Sequence, residues 1–498
     1  MPLSDYLLEI KPAGTWIPIA DGDVLSVRGS WSVSSNENSG VAFGDDTDAS
    51  ISGELTLNNW SNINHFTPIR YTTTMDADTT KTFTGVITRH ARDMSKISLD
   101  ATGMKALVAA TKVYSPSFAR RPVATKTTSS SIENPATAGY VAGHINYLLF
   151  TAGGWPYEQA GSNPTATFYY SCDHAVLAPD WTWAAGEDAW AECLQLAKDS
   201  GGQMYQDANG VVRYRQIVGY GGQTTSDTLT EGDYAEIEQV IDPGLIFATK
   251  ITCQYVPRRR LGLQEIADDT TPHHIEPGET ATIVIEQQNP IAFNADGTHS
   301  LEAATPGGSQ LKPAALVVAQ QDGTTIQQGA GGYAHTLDVK AARVTITVTN
   351  NSSKACTVWR VRLNACPIVV GEAGSVSADS GATPVVERIL EQSPYIQNAS
   401  AAQRIADMTL AFYGAARPMV TARGCVHIPS RAIGNALLLT CTPWSMSAQK
   451  HVVLSKSHDD TGVKDDLVLA YVEDLPATSA FFIVGHTYVA SDNRLLGW

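Results

Sequence analysis

Two adjacent histidines, His273 and His274, are residues whose type could do chemistry, because imidazole is a common ligand of zinc and other metals. Adjacent side chains point in different directions, and no third ligand is spaced to complete a coordination site. We therefore predict that the chain holds no metal at this pair.

Nucleophilic catalysis would need a cysteine or serine beside a base, and Cys172, His174 and His144 come nearest to that requirement. None of the three has a recognisable set of partners, and the sequence contains no G-x-S-x-G turn. The glycine groups that begin at positions 201, 221, 307 and 331 lack the Lys-Ser/Thr of a phosphate-binding loop. The sequence thus predicts neither an enzyme nor a cofactor site.

The sequence contains two kinds of clustered carboxylates, namely aspartate-rich stretches and a Glu-Asp pair before a predicted helix. Aspartates within 45–48, 76–78 and 459–466 are candidates for calcium binding, but none of these stretches matches the twelve-residue loop with its central glycine and terminal glutamate. Solvated turns are the simpler interpretation of all three. Glu187 and Asp188 are neighbours at the start of a predicted helix, where the positive end of the helix dipole accounts for them.

The composition indicates a lightly charged, globular and mostly β protein. The chain has 498 residues, enough for two to four domains, of which 43% are apolar and 17% charged, with 40 glycines between short alternating runs. Its net charge of −16 argues against a general nucleic-acid binder. No apolar run approaches the roughly 18–20 residues that a bilayer requires, and residues 1–21 lack the features of a signal peptide. We expect a soluble protein without an export signal.

The cysteines are seven in number and include no C-x-x-C pair, so neither a zinc site nor a disulfide framework is indicated. We expect buried thiols in a protein that folds in a reducing cytoplasm.

The stretch Gly186 to Arg215 predicts an amphipathic helix that leads into a two-stranded ribbon. Small and apolar residues form one face of the helix, namely Ala189, Trp190, Cys193, Leu194 and Ala197. Gly201 and Gly202 end the helix, and 207–210 forms the turn between the two strands. A second helix is predicted over 399–414, with its buried face at Ala402, Ile405, Ala406, Thr409 and Phe412.

Alternation predicts strands over 24–33 and 49–60 in the first hundred residues, followed by a short helix over 102–113.

The sequence SGELTLNNWSNINHFTPIRY and the following Phe83 to Ile87 resemble the first barrel domain of tail hub proteins, also called minor tail or baseplate hub proteins, of long-tailed bacteriophages. The same family has a helix, a Gly-Gly and an Arg- and Tyr-rich strand like those at 181–215. The resemblance continues through RAIGNALLLT and the end of the chain, and it covers about three quarters of the sequence.

Residues 263–371 depart from the family pattern and predict an inserted β-sandwich-like module with alternating runs such as VTITVTN and VWRVRLN. Just before it stands a basic triplet, Arg258, Arg259 and Arg260, for which a salt-bridged subunit interface and an exposed loop are both open interpretations.

The resemblance and the patterns together predict a mainly β chain with α+β parts. A first hub β-barrel domain is expected at 1–114, an α+β linking domain at 115–225, and a second barrel at 226–262 and 415–498. The inserted module at 263–371 is followed by a helical connecting segment at 372–414.

The resemblance implies a structural virion protein, made in the host cytoplasm, that forms a homotrimeric ring at the tail tip. Each subunit contributes two similar barrels, so the ring matches a six-fold tail tube on one side and a three-fold tip on the other. The implied partners are the distal tail protein, the tape measure protein and tail tip or fibre proteins, and phage DNA passes through the channel. We expect an acidic channel wall, along which DNA slides without sticking.

A second hypothesis is that the inserted module binds host cell-surface glycan, with Tyr333 or Trp359 as stacking platforms. Alternation makes the sandwich core the simpler place for both aromatics. A third hypothesis, an enzyme that degrades the cell wall, has no supporting set of residues.

Overall fold

The structure, a computed structural model, describes residues 5–12, 15–32, 48–58, 63–75, 78–109, 111–119, 145, 148–149, 168–170, 180–199, 202–206, 210, 212–216, 225, 227–240, 247–293, 300, 314–320, 322–329, 331–390, 392–414, 419–428, 431–458, 464–472, 487–489 and 494–496. More than half of these described residues lie in β-strands, which confirms the mainly β prediction.

The strands of the first half are β1 (Asp5–Ile10), β2 (Ile17–Pro18), β3 (Val24–Ser32), β4 (Asp48–Thr56), β5 (Pro68–Met75), β6 (Asp78–Arg92), β7 (Lys96–Gly103), β8 (Lys112–Tyr114), β9 (Phe118–Ala119), β10 (Phe168–Tyr170), β11 (Trp181–Thr182), β12 (Ala185–Asp188), β13 (Gly202–Gln206), β14 (Val212–Gln216), β15 (Asp227–Leu229) and β16 (Glu236–Val240). Helix α1 (Ala189–Asp199) lies between β12 and β13. Short 3-10 helices occupy Asp21–Asp23 and Met104–Leu107.

The strands of the second half are β17 (Lys250–Tyr255), β18 (Arg258–Arg260), β19 (Gln264–Asp269), β20 (His273–Ile275), β21 (Thr280–Glu286), β22 (Ala314–Gln320), β23 (Tyr333–Val339), β24 (Arg343–Asn350), β25 (Cys356–Ala365), β26 (Ile368–Val370), β27 (Gly374–Asp379), β28 (Glu387–Leu390), β29 (Met419–Val426), β30 (Ala436–Cys441), β31 (Met446–His458), β32 (Lys464–Tyr471), β33 (Thr487–Val489) and β34 (Arg494–Leu496). Helix α2 (Ala399–Tyr413) lies between β28 and β29, and a 3-10 helix occupies Thr442–Trp444.

One 13-stranded sheet contains both the N-terminal and the C-terminal strands. Its main order is β16-β29-β32-β31-β3-β4-β7-β6-β5-β1-β2, and β30 pairs with both β31 and β15. The two halves meet where β3 runs antiparallel to β31, with Gly29 opposite His458 and Ser32 opposite Ser455. The two β regions predicted as barrels are thus joined directly by strand pairing, a link that the sequence patterns did not include.

The N-terminal strands bury alternate side chains in a shared core, as period-two patterning requires. Ile51 and Leu55 of β4 share this core with Ile97 and Leu99 of β7, and Phe83 of β6 is also buried there. Gly85, from the stretch that resembles the hub family, lies where a Cβ atom would overlap the backbone oxygen of Thr102 and the ring of Phe83. Glycine there permits close strand contact.

The predicted helix over 102–113 is wrong in most of its length. Thr102 and Gly103 continue β7, pairing with Ser50 and Gly85, and only a single 3-10 turn follows. Val113 then pairs with Glu187 in β12. Tertiary strand pairing at both ends thus overrides the local helical pattern.

The predicted helix and ribbon near the middle of the chain are confirmed. Helix α1 buries Trp190, Cys193 and Ala197 in one core with Leu196, while Leu194 is only partly buried. The hairpin of β13 and β14 has Met204 opposite Tyr214. Periodicity also predicts a helix over 138–151, with Val141, Ile145, Leu148 and Leu149 on one face, and most of this range lies outside the described residues.

The described residues between 264 and 365 form two sheets around one core. The first sheet has the order β19-β25-β20, with β22 also pairing with β25, and the second has the order β21-β24-β23. Val358, Val361 and Leu363 of the first sheet pack with Ile346 and Val348 of the second. The region predicted as sandwich-like therefore has two packed β layers.

Strand β17 pairs with β27 and β28, and helix α2 packs across this small sheet. The side chain of Asn398 caps the helix by accepting a hydrogen bond from the backbone N–H of Ala401, at 2.8 Å. Ala402, Ile405, Ala406 and Thr409 are buried, in agreement with the predicted face. The division into domains itself remains a prediction.

Candidate functional site

The two adjacent histidines lie in β20 and contact different neighbours. His273 stands opposite Val358 and lies 3.8 Å from a carboxylate oxygen of Asp269, whereas the Nε2 atom of His274 lies 3.0 Å from Glu276. Within the described part of the chain, no group of three or more His, Cys, Asp or Glu side chains is placed to hold a metal ion.

The acidic pair before helix α1 has a structural role at Asp188. Its Oδ1 atom accepts a hydrogen bond of 2.6 Å from the backbone N–H of Ala191, in the first turn of the helix. This contact satisfies a donor that has no partner within a helix. The candidate nucleophile Cys172 with His174 and His144, and the aspartates of 45–47, lie outside the described residues.

The cysteines of the described segments, Cys193, Cys253, Cys356, Cys366, Cys425 and Cys441, are all buried and free. This agrees with the expectation of buried thiols. Burial raises the pKa of the Cys193 thiol well above its usual range, so the reactive thiolate is disfavoured there.

The arginine triplet forms strand β18 and pairs with β26, so it is not an irregular exposed loop. The guanidinium of Arg258 lies over the ring of Trp183, with 4.1 Å to the ring centroid, while Arg259 and Arg260 are exposed.

The two aromatic residues predicted as stacking platforms differ in exposure. Tyr333 belongs to the sandwich core, and its ring stacks near that of His335. Trp359 is 50% exposed. Tyr333 therefore lies in the sandwich core, as alternation indicated, whereas Trp359 does not.

A buried polar cluster forms where the N-terminal strands meet the C-terminal strands. The Nδ1 atom of His427 lies 2.9 and 3.0 Å from the two carboxylate oxygens of Asp465, and its Nε2 atom lies 3.0 Å from the hydroxyl of Thr73. The ammonium of Lys456 lies 3.1 Å from the same carboxylate. We call these four residues, Thr73, His427, Lys456 and Asp465, the joint cluster.

Lys456 also holds the neighbouring loop. Its ammonium donates hydrogen bonds of 3.2 and 3.1 Å to the backbone oxygens of Ile428 and Arg431. The side chain of Arg431 is itself buried and pairs with Asp227 at the start of β15. Buried charges need such partners, because an isolated ion in the interior costs several kcal/mol or more.

The joint cluster has the order hydroxyl, imidazole and carboxylate found in many hydrolases. Thr73 and His427 are 0% exposed and Asp465 is 1% exposed. A substrate therefore cannot reach the hydroxyl of Thr73 in this structure. The arrangement fixes the position of the two β regions and offers no site for nucleophilic attack.

The prediction that Asp465 lies in a solvated turn is wrong, and the sequence patterns did not predict the joint cluster. Asp465 begins the buried face of β32, two and four residues before the core residues Leu467 and Leu469. An aspartate in phase with buried leucines was the available signal.

The face of Lys456 could not be predicted from alternation. Counting by two from Val452 assigns Lys456 to the same face as Val452 and Leu454. A bulge between Val453 and Ser455 changes the register, so that Lys456 stands opposite Leu467. Bulges of this kind redirect side chains.

Two carboxyls of helix α1, the half-buried Glu192 and the buried Asp199, have raised pKa values. Burial, with the negative charges of Glu187 and Asp199, raises the pKa of Glu192 to about 7. Burial also raises the pKa of Asp199 to about 6, although hydrogen bonds from Ser393 and Gln195 oppose the shift.

The segment before α2 also contacts strand β11. The side-chain amide of Gln397 accepts from the backbone N–H of Trp181 at 2.8 Å and donates to the backbone oxygen of the same residue at 2.5 Å. This bidentate contact fixes the segment before α2 against β11.

Neither described α-helix is long and apolar enough to cross a membrane.

No family model matches the sequence, and no curated protein matches it either. Solved structures of similar fold include the 43 kDa tail protein of prophage MuSo2 from Shewanella oneidensis, with 10% identity, a TM-score of 0.44, and coverage of 94% of this chain and 99% of that chain. A tail protein from Neisseria meningitidis MC58 has 9% identity, a TM-score of 0.47 and the same coverages. A chain in the virion of a native gene transfer agent particle has 10% identity and a TM-score of 0.33, covering 86% of this chain and 79% of that chain. Similarity at this level carries no argument about function.

Proposed function

We propose that this chain is a structural protein of a bacteriophage tail, and more specifically that three copies form the hub ring at the tail tip. The resemblance of residues 52–87, 181–215 and 431–440 to hub proteins supports the assignment. The pairing of β3 with β31, which joins the two β regions in one sheet, is the structural observation that supports it most.

A ring subunit that presents two β regions to a tail tube must hold them in a fixed relative orientation. Main-chain hydrogen bonds between β3 and β31 provide this, because they fix both register and spacing. The joint cluster adds a buried contact from Thr73 in β5 to His427, far from the paired strands in sequence. Both links hold each subunit as one rigid body during assembly.

In the proposed ring, two similar regions from each of three subunits match a six-fold tube, and the subunits themselves match a three-fold tip. The partners are a distal tail protein, the tape measure protein and tail tip or fibre proteins. The net charge of −16 suits a channel wall along which DNA passes without binding.

The oligomeric state tests this proposal. Mass photometry of the purified chain, at concentrations up to micromolar, is expected to give a species of three chains of 53.2 kDa each. Negative-stain images should show a ring with a central opening. A chain that stays monomeric in solution and is absent from rings in assembled tails would contradict the hub assignment.

The charge of the channel is tested separately. A density map of the assembled ring should place acidic side chains along the opening. A strongly basic wall would rule out the role of the negative charge while leaving the trimeric hub intact.

A further inference from the structure

The four-stranded sheet of the inserted module exposes a mixed apolar and charged face. The inner side of β25 supplies Val358, Val361 and Leu363 to the core. The opposite side carries Trp359, 50% exposed, and Val317 of the adjacent strand β22, 43% exposed. We call this side the outer face; its residues are Glu265, Asp268, His274, Val317, Trp359, Arg360 and Arg362.

A β-bulge accounts for the exposure of Trp359. Val317 pairs with Arg360 and the next residue, Val318, pairs with Val358, so Trp359 has no partner on β22. Bulges turn a side chain away from the regular alternation and are frequent next to binding sites. Counting by two from Leu363 and Val361 would have placed Trp359 in the core.

The charged groups of the outer face are held in pairs. Arg360 donates from Nε and Nη2 to the two oxygens of Asp268, at 2.7 and 2.5 Å, and Arg362 donates from Nε to Glu265 at 2.7 Å. The hydrogen bond from Arg360 lowers the pKa of Asp268, so both members of that pair are charged near neutral pH. Such forked pairs hold each arginine and its carboxylate in a fixed orientation. The N–H groups and oxygens that the pairs do not use therefore also point in fixed directions.

Charge balance decides which class of ligand fits. Each arginine is neutralised by its own carboxylate, so an anionic or cationic ligand would gain little from the face and would compete with an existing pair. A polyhydroxyl ligand both donates and accepts hydrogen bonds without carrying charge. A sugar ring also has an apolar C–H face that packs on an exposed indole.

We propose that the outer face binds a neutral saccharide, with one sugar ring stacked on Trp359 and its hydroxyls hydrogen-bonded to the Arg360–Asp268 pair. This inference goes beyond the hub role and does not depend on it, since it rests on the inserted module. A saccharide site on a tail-tip protein would contact the surface of the host cell.

A glycan array probed with the full-length chain tests the proposal. The array should carry neutral hexose and N-acetylhexosamine oligosaccharides beside sialylated and sulfated ones. The unmodified chain is expected to be retained on neutral saccharides. Trp359→Ala should weaken that retention at least tenfold, and Trp359→Phe should keep most of it.

Val370→Ala provides the matched control, because Val370 is also an exposed apolar side chain, 64% exposed, on a different strand. Its retention should equal that of the unmodified chain. No retention on any neutral saccharide, retention only on charged saccharides, or equal retention of Trp359→Ala would each overturn the proposal. Mass photometry of the same samples reports on the trimer independently, so either conclusion can fail alone.

Discussion

The Nε2 atom of His427 lies 3.0 Å from the hydroxyl of Thr73, although the two residues are 354 positions apart. Thr73 belongs to an N-terminal strand and His427 follows β29. The contact is fully buried and continues through Asp465 to Lys456. It gives the joint between the two β regions a specific geometry that apolar packing alone would not impose.

Removing the lysine of the joint cluster should destabilise the fold strongly. Lys456→Met keeps the length of the side chain but leaves the carboxylate of Asp465 buried without its ammonium partner. We expect a loss of about 3–5 kcal/mol in the free energy of unfolding, measured by urea denaturation. Lys250→Met is the control, because the Lys250–Glu387 pair is partly exposed and its loss should change stability little. Equal effects of both substitutions would show that the cluster is not a stabilising joint.

The contact between Thr73 and His427 should appear as a coupling energy. In a double-mutant cycle of Thr73→Val and His427→Leu, we expect a coupling of about 1 kcal/mol, the value of a typical buried hydrogen bond. A cycle that combines Thr73→Val with the distant Thr252→Val should give no coupling beyond error. Additive effects of the first pair would mean that the hydrogen bond does not form in solution.

Stability should fall as the pH rises through neutrality. The pKa of Glu192 is raised to about 7 by burial, so the folded chain keeps a proton that the unfolded carboxyl has already released. The resulting stability is fully present below the unfolded pKa near 4.5 and is lost as the pH passes about 7. Between pH 6 and pH 8 we expect a decrease of about 1 kcal/mol.

Glu192→Gln should remove most of this dependence between pH 6 and pH 8. Asp199, with a pKa of about 6, then accounts for the slope that remains at lower pH. The exposed Glu372 offers a control, since Glu372→Gln should leave the slope unchanged. A Glu192→Gln chain with the original slope would show that this carboxyl is ionised in the folded state.

Gly85→Ala should destabilise the N-terminal strands, because the added methyl overlaps the backbone oxygen of Thr102. Because a backbone atom cannot rotate away as a side chain can, we expect the substitution to lower the free energy of unfolding by about 1–3 kcal/mol. Gly262→Ala is the matched control, since no atom lies within 4 Å of its added Cβ. Thermal unfolding followed by circular dichroism distinguishes the two, and an unchanged midpoint for Gly85→Ala would contradict the close contact.

Local patterns predicted the local elements well. Helix α1, the hairpin of β13 and β14, and helix α2 depend on residues close in sequence, so periodicity and turn residues were enough. Short strands such as β4 and β24 were equally visible as alternation. These elements need no distant partner to define their pattern.

Contacts between distant residues could not be predicted in the same way. The pairing of β3 with β31 follows from no pattern in either strand, and the joint cluster unites residues from four separate elements. Bulges are a second source of error, because a single extra residue transfers Lys456 and Trp359 to other faces. Tyr333 and Trp359 thus have similar strand contexts in sequence and opposite exposure in the fold.

The pairing of β18 with β26 has a consequence for how such chains change over generations. Arg258 stands opposite Val370 and Arg260 opposite Ile368, so the segment between β18 and β26 begins and ends at adjacent positions, about 5 Å apart. A short turn can close this ladder when the segment between the two strands is deleted. We expect that a recombination event can replace the residues between β18 and β26 as a unit, while β18 and β26 keep the hydrogen bonds that pair them.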